Sequence, residues 1–169
     1  MKQTDFINLS NKFPGVTINE YVSIIKPEVI RIGEGTRIDN FVRLEGGEGL
    51  DVGKFCHFAS SSGITGGGSC KIGDFTGIAQ GVRLVTGTGF PFIDKFKIKI
   101  KDETHPYYKN KKGEIVIGSY VLIGVNAVIL PNVVIADGAI VAAGSVVLDN
   151  VPSWTMVAGN PARIMKTYY

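Results

Sequence analysis

The sequence predicts an all-β solenoid built from short strands in parallel, stacked coils. Residues 117–152 divide without remainder into six-residue units: IGSYVL, IGVNAV, ILPNVV, IADGAI, VAAGSV and VLDNVP. Each unit opens on an aliphatic residue (Ile117, Ile123, Ile129, Ile135, Val141, Val147), and its fifth place is small or β-branched (Val121, Ala127, Val133, Ala139, Ser145, Val151). A period of six fits neither the three-to-four spacing of a helix nor the strict alternation of a hairpin strand. It fits short β segments joined by corners, three to a coil, with both apolar places pointing inward and successive coils pairing roughly 4.8 Å apart. A single unit cannot bury its apolar side, whereas a stack shares one continuous core.

Composition agrees. The 169 residues make one domain's length, and 22 glycines exceed average usage. A net charge of +3 and a pI near 8.8 are too weakly basic to argue for nucleic acid and suit a phosphorylated ligand. No apolar run is long enough to insert into a membrane, and the start, MKQTDFINLSNKF, has no signal-peptide pattern. A cytoplasmic protein is expected. Cys56 and Cys70 both take inward places in different parts of the coil, so buried free thiols are expected rather than a disulfide. With two histidines and no paired-cysteine motif, no zinc site is expected.

In chain order, residues 1–30 read as an irregular N-terminal capping segment, as the open end of a repeat array requires. The β-helix then occupies residues 31–158. Aliphatic places fall at 32, 38 and 44, at 52, 58 and 64, and at 72, 78 and 84, six apart within a triplet and eight between triplets. The extra residues enter after Leu44, after Ile64 and, as the long inserted loop 88–113, after Leu84, so all three insertions stack on one corner. That loop carries seven lysines and five aromatics; FKIKIK alternates like a strand of a projecting arm. Its lysines suit phosphate, and Phe90, Phe92, Tyr107 and Tyr108 suit a sugar face or a base. Alternatively the arm wraps a neighbouring subunit. Residues 159–169 read as a C-terminal tail.

The repeat array, the run GDFTGIAQGVRLVTGTG leading into a long loop, and the closing VAAGSVVLDNVPSWTMVAGNPARIMK resemble the hexapeptide-repeat acyltransferases. Within them the resemblance is to the sugar acetyltransferases, the galactoside and maltose branch and relatives that acetylate cell-surface polysaccharide sugars. It implies a left-handed parallel β-helix, a homotrimer with active sites between subunits, and acetyl-CoA as donor to a sugar or nucleotide-sugar acceptor. Carried over by position, the acetyl-CoA contacts fall on Val125, Ala143, Leu148, Asp149, Arg163 and Lys166, the first two through backbone. Val125 and Ala143 hold the same place in adjacent coils and line one groove about 5 Å apart; Arg163 and Lys166 follow above it. A Thr-Lys pair is usual where this chain has Leu148-Asp149.

The resemblance also implies direct acyl transfer with a histidine general base, a role that imidazole suits because it titrates near neutrality. The galactoside branch places its base near the start of the long loop, where this chain reads TGTGFPF and has no histidine. His57, expected to point outward at the corner before Phe58 and below the Val125 and Ala143 groove, is the first candidate. His105, in the arm, is the alternative. Two other readings stand beside this one: a metal protein such as a γ-class carbonic anhydrase, which needs three zinc-binding histidines where the chain has two, and a catalytically silent β-helix that binds CoA or serves assembly.

Overall fold

An aliphatic residue at every sixth place, each followed by a tight corner, leaves room for strands of only two to four residues within the coils. The computed structural model, which describes residues 11–91 and 108–168, shows such strands from the first coil through β19 (Val146–Val147), the arm aside. The first coil holds β1 (Thr17–Ile18), β2 (Ser23–Ile25) and β3 (Ile30–Ile32), with a short 3-10 turn at Pro27–Val29. The second holds β4 (Arg37–Ile38), β5 (Arg43–Glu45) and β6 (Gly49–Val52), and the third β7 (His57–Phe58), β8 (Gly63–Thr65) and β9 (Ser69–Ile72). The fourth runs through β10 (Gly77–Ile78) and β11 (Arg83–Val85). It leaves the prism as the antiparallel arm β12 (Gly87–Pro91) and β13 (Tyr108–Lys112), and closes with β14 (Glu114–Ile117). The fifth holds β15 (Leu122–Ile123), β16 (Val128–Ile129) and β17 (Val134–Ile135). Above it come β18 (Ile140–Val141), β19 (Val146–Val147) and β20 (Thr155–Gly159), and β20 returns as β21 (Ala162–Thr167).

These strands stack into three faces. Face A is β1-β4-β7-β10-β15-β18-β20 with β21 on its edge, face B is β2-β5-β8-β11-β16-β19, and face C is β3-β6-β9-β14-β17. Pairing from coil to coil is parallel and in register, as in Ile38 beside Phe58 and Phe58 beside Ile78. The chain is therefore an all-β solenoid. The aliphatic places Ile38, Phe58, Ile78, Ile123 and Val141 form one buried column inside face A, each at most 1 % exposed.

The coil begins earlier than the boundary expected at residue 31. Strands β1 and β2 pair in register with β4 and β5, and Ile18 and Val22 are buried. The aliphatic count 18, 24, 32 in fact continues the later one; Ile24 and Ile32 are only half-buried because they lie at the open end. The expected tail is the returning strand β21, which runs antiparallel to β20 and is exposed along most of its length.

Where the coils come closest, side chains are excluded. A Cβ on Gly73 would lie 2.6 Å from the Ser119 backbone nitrogen in the coil above, a distance no methyl tolerates. At the C–A corner the inward hydroxyls and thiol are satisfied by the next coil: Thr36 Oγ1 donates to the Gly53 carbonyl at 2.9 Å, Cys56 Sγ to Gly73 at 3.1 Å and Thr76 Oγ1 to Gly118 at 2.9 Å. Cys56 and Cys70 are both free and buried, and burial pushes both thiols above the usual cysteine range. All three insertions leave between faces B and C, where Lys112, at the base of the arm, pairs with Glu48 at 2.9 Å.

Because each coil contacts only its neighbours, a cavity in one coil weakens the whole stack. Ile129→Ala, at a site 0 % exposed, is expected to lower unfolding free energy by about 2–5 kcal/mol. Val125→Ala, in the same coil but 44 % exposed, should stay within about 0.5 kcal/mol. Guanidinium denaturation of both variants checks this; equal effects would contradict the inward assignment.

Candidate active site

Alternation along a two-residue strand sends one side chain inward and its neighbours outward. On face A, with Ile38, Phe58, Ile78 and Ile123 inside, the outward column reads Arg37, His57, Gly77, Leu122, Ile140 and Met156 from bottom to top. A second outward column, two residues on, reads Asp39, Ala59, Ala79, Gly124 and Ala142, each N–H bonding to the coil above. The A–B corner beside it stacks Asn40, Ser60, Gln80, Val125 and Ala143, tied by bonds such as Gly81 N–H to Ser60 O at 3.2 Å, Asn126 N–H to Gln80 O at 2.9 Å and Gly144 N–H to Val125 O at 2.8 Å. The strip above His57 is thus floored by small residues, with Leu122, 52 % exposed, on one side and the corner on the other.

His57 lies within β7 on the open face rather than at a corner: Phe55 turns the corner before it and Ser60 the corner after it. Its side chain points outward and is 40 % exposed. Val125 and Ala143 share one corner, both exposed, and stand two and three coils above Ser60, roughly 10 and 14 Å along the axis. Arg163 sits opposite Ala158 at the head of the same strip, and Lys166 opposite Met156. Leu148 is exposed. Asp149 lies 3.6 Å from Arg163, so the residue standing where the family usually has a cation is a counter-charge to the arginine above the groove. Lys166 Nζ lies over the Tyr168 ring, 4.7 Å from its centroid. His105, Phe92 and Tyr107 lie outside the described residues. Among the described residues no group of three or more His, Cys, Asp and Glu could hold a metal ion.

The sequence reading did not find the partners of His57. Asp39 Oδ2 lies 2.9 Å from His57 Nε2, Arg37 Nη2 2.8 Å from the same nitrogen, and Arg37 Nε 3.1 Å from Asp39 Oδ1. Asn19 donates to Asp39 Oδ1 at 3.4 Å. The Asp39 carboxylate, with its side chain 19 % exposed, therefore faces Arg37, Asn19 and His57 together. Nε2 therefore stands between a carboxylate acceptor and a guanidinium donor: the Nε2–H tautomer donates to Asp39 and leaves the lone pair on Nδ1, whereas the Nδ1–H tautomer accepts from Arg37 at Nε2. The signal was present in the numbering: one coil here is twenty residues, so Arg37 lies directly beneath His57 and Asp39 two residues further on.

Comparison with known proteins shows what this arrangement resembles. Residues 114–149 match the model of the bacterial transferase hexapeptide (six repeats). No curated protein sequence matches the chain with significance. Among solved structures, an AntD mutant, an N-acyltransferase from Bacillus cereus in complex with dTDP-4-amino-4,6-dideoxyglucose and coenzyme A, superposes with a TM-score of 0.82 at 28 % identity, over 99 % of this chain and 89 % of that one. AntD in complex with dTDP and 3-hydroxybutyryl-CoA gives 0.82 at 27 %, over 99 % and 88 %. This chain carries the hexapeptide repeat of bacterial transferases and is similar along nearly its whole length to a coenzyme A-bound N-acyltransferase. A hexapeptide-repeat-containing acetyltransferase from Vibrio cholerae O1 biovar eltor, complexed with acetyl coenzyme A, shares the fold at a TM-score of 0.65 and 24 % identity, over 100 % of this chain and 79 % of that one.

The Asp39 contact makes a spectroscopic prediction. Asp39→Ala leaves only the Arg37 donor against Nε2 and should shift the imidazole ¹⁵N resonances of His57 toward the Nδ1–H tautomer; a spectrum insensitive to that change rejects the contact.

Proposed function

We propose that this chain moves an acetyl group from acetyl-CoA directly to an amino or hydroxyl group of a sugar, with His57 as general base. The observation that carries the proposal is the continuous strip on face A. It runs from the Val125 and Ala143 corner down small residues to an outward imidazole whose Nε2 is held by a carboxylate. An extended pantetheine arm can lie against such a strip because no large side chain interrupts the floor between Ala142 and Ala59. AntD, with which the chain superposes along nearly its whole length, is an N-acyltransferase found with coenzyme A and a dTDP-linked amino sugar, which supports a CoA donor and a sugar acceptor.

The steps follow from the chemistry of the groups. The acceptor nitrogen or oxygen attacks the thioester carbonyl, and the His57 imidazole takes the proton that the acceptor loses. The tetrahedral intermediate collapses with cleavage of the C–S bond, and the proton passes to the departing thiolate. No covalent enzyme intermediate is required. Val125 and Ala143 offer backbone contacts to the donor, with Leu148, Asp149, Arg163 and Lys166 at its nucleotide end. In this reading the product sugar enters a cell-surface polysaccharide of O-antigen or capsule type, made in the cytoplasm.

The working assembly is a homotrimer with sites between subunits. Phe55, Phe75 and Tyr120 stack along the C–A corner with ring centroids 5.2 Å apart, yet remain 49–61 % exposed. Such an apolar ridge, two residues from His57, is the kind of surface a second copy covers.

Two outcomes test the proposal. His57→Ala should lower kcat for thioester consumption by about 10²–10⁴-fold with the KM for acetyl-CoA little changed; full activity in that variant would dismiss His57 as the base. Sedimentation velocity should show trimers for the native chain and smaller species for Tyr120→Asp with an unaltered circular dichroism spectrum.

A further inference from the structure

Arg83 differs from the other arginines. Arg31 pairs with Asp51, Arg37 with Asp39, Arg43 with Glu45 and Arg163 with Asp149. Arg83, which is exposed, meets no carboxylate among the described residues. Instead its Nη1 donates to two backbone carbonyls, that of Ser61 and that of Val82, the latter at 3.2 Å.

The direction of that reach follows from a missing side chain. On face B the outward column reads Arg43, Gly63, Arg83. Gly63 puts no side chain beneath Arg83, so the arginine can turn down the axis to the A–B corner of the coil below and cover the glycine, which is buried. Ser61 belongs to the coil of His57 and lies four residues beyond it. The guanidinium is therefore held across one corner from the imidazole at nearly the same level. Two backbone carbonyls accept from Nη1, and no carboxylate among the described residues meets Nη2 or Nε. A planar cation held in this way, with no carboxylate among those residues, is preorganised for an anionic partner, because its fork matches the oxygens of a phosphate or carboxylate.

We propose that Arg83 anchors the diphosphate of a nucleoside-diphosphate-linked acceptor, holding the sugar over the Ser60 and Ser61 corner with its reacting group toward His57. This rests on the acetyl-transfer reading above and adds the acceptor's charge class and a specificity-determining residue on face B. Arg83 touches the acceptor away from the reacting atoms, so it should act on acceptor affinity and leave turnover at saturation alone.

Calorimetric titration of thymidine diphosphate into the native chain, Arg83→Gln and Arg83→Lys tests the anchor without requiring turnover. Arg83→Gln should bind the diphosphate about tenfold or more weakly, as expected for loss of a charge-assisted pair, with Arg83→Lys in between. The three proteins should bind CoA equally and melt within a few degrees of one another. In parallel, the acceptor KM is measured for dTDP-4-amino-4,6-dideoxyglucose, for the methyl glycoside of the same sugar and for free N-acetylneuraminic acid. Only the diphosphate-linked acceptor should lose out in Arg83→Gln. Equal diphosphate affinity in native and Arg83→Gln proteins, no diphosphate binding by the native chain, or a loss confined to the carboxylated sugar would each overturn the proposal. A native chain that fails to bind CoA, or a fully active His57→Ala, would count against the acetyl-transfer reading instead and leaves the calorimetric result to decide on Arg83.

Discussion

The hydrogen bonds from each coil to the next are the constraint that every other feature obeys. Parallel pairing fixes the coil spacing at roughly 4.8 Å and sets each residue directly over its counterpart below. Inside, this stacks aliphatic on aliphatic, so the core is a column rather than a cluster. Outside, it converts sequence neighbours twenty residues apart into spatial neighbours. A slip of one residue would turn the aliphatic column out to solvent, and the register is therefore strongly specified by burial alone. The corners bear the cost of this geometry. Phe55, Phe75, Tyr120 and Asn126 all adopt positive φ, a region disfavoured for residues with a Cβ. They persist there because the N–H of each is bonded to the coil below.

The same constraint decides what could be read from the sequence. The aliphatic places, the small inward places and the stacking of all insertions on one corner depend only on counting, and counting found them. It also put Val125 and Ala143 on one corner and His57 outside the prism. Counting does not reach side-chain partners. Residues 1–30 read as an irregular cap because Val22 and Ile25 stand beside the aliphatic places 18 and 24 and blur the period. The count sets Arg37 beneath His57, but that Arg37 and Asp39 both turn toward the imidazole is a matter of side-chain conformers, which no repeat dictates. The Asp149–Arg163 contact depends on β21 folding back over β20, which no periodicity announces. The downward turn of Arg83 is a choice of side-chain conformer that Gly63 permits and no repeat rule dictates.

Outside the core, charge follows the columns. Arg31 lies beneath Asp51, Lys54 over Glu34 and Lys71 beside Glu114, each from one coil to the next. The Lys54 ammonium, hydrogen-bonded to Glu34, holds that carboxyl below its ordinary range, and the Glu34 carboxylate raises Lys54 in turn. These pairs lie at the surface, and solvent screening leaves them little weight in stability. Among the described residues every arginine but Arg83 meets a carboxylate, which sets Arg83 apart.

A solenoid of identical coils has flat faces and convex corners, so it cannot form a pocket by itself. Concavity has to come from omission or from a neighbour. Gly77, whose added Cβ would meet nothing nearer than Leu122 Cδ1 at 3.4 Å, removes a side chain from face A directly above His57. Gly63 removes one from face B directly below Arg83. The two glycines flank the same corner at adjacent levels, and the residues between them are Ser60, Ser61 and Gln80. On one side of this corner stands an imidazole beside a carboxylate and on the other Arg83, at the foot of a strip floored by alanine and glycine. In the proposed reading, the donor path, the base and the acceptor anchor that acyl transfer needs meet at this A–B corner of the third and fourth coils.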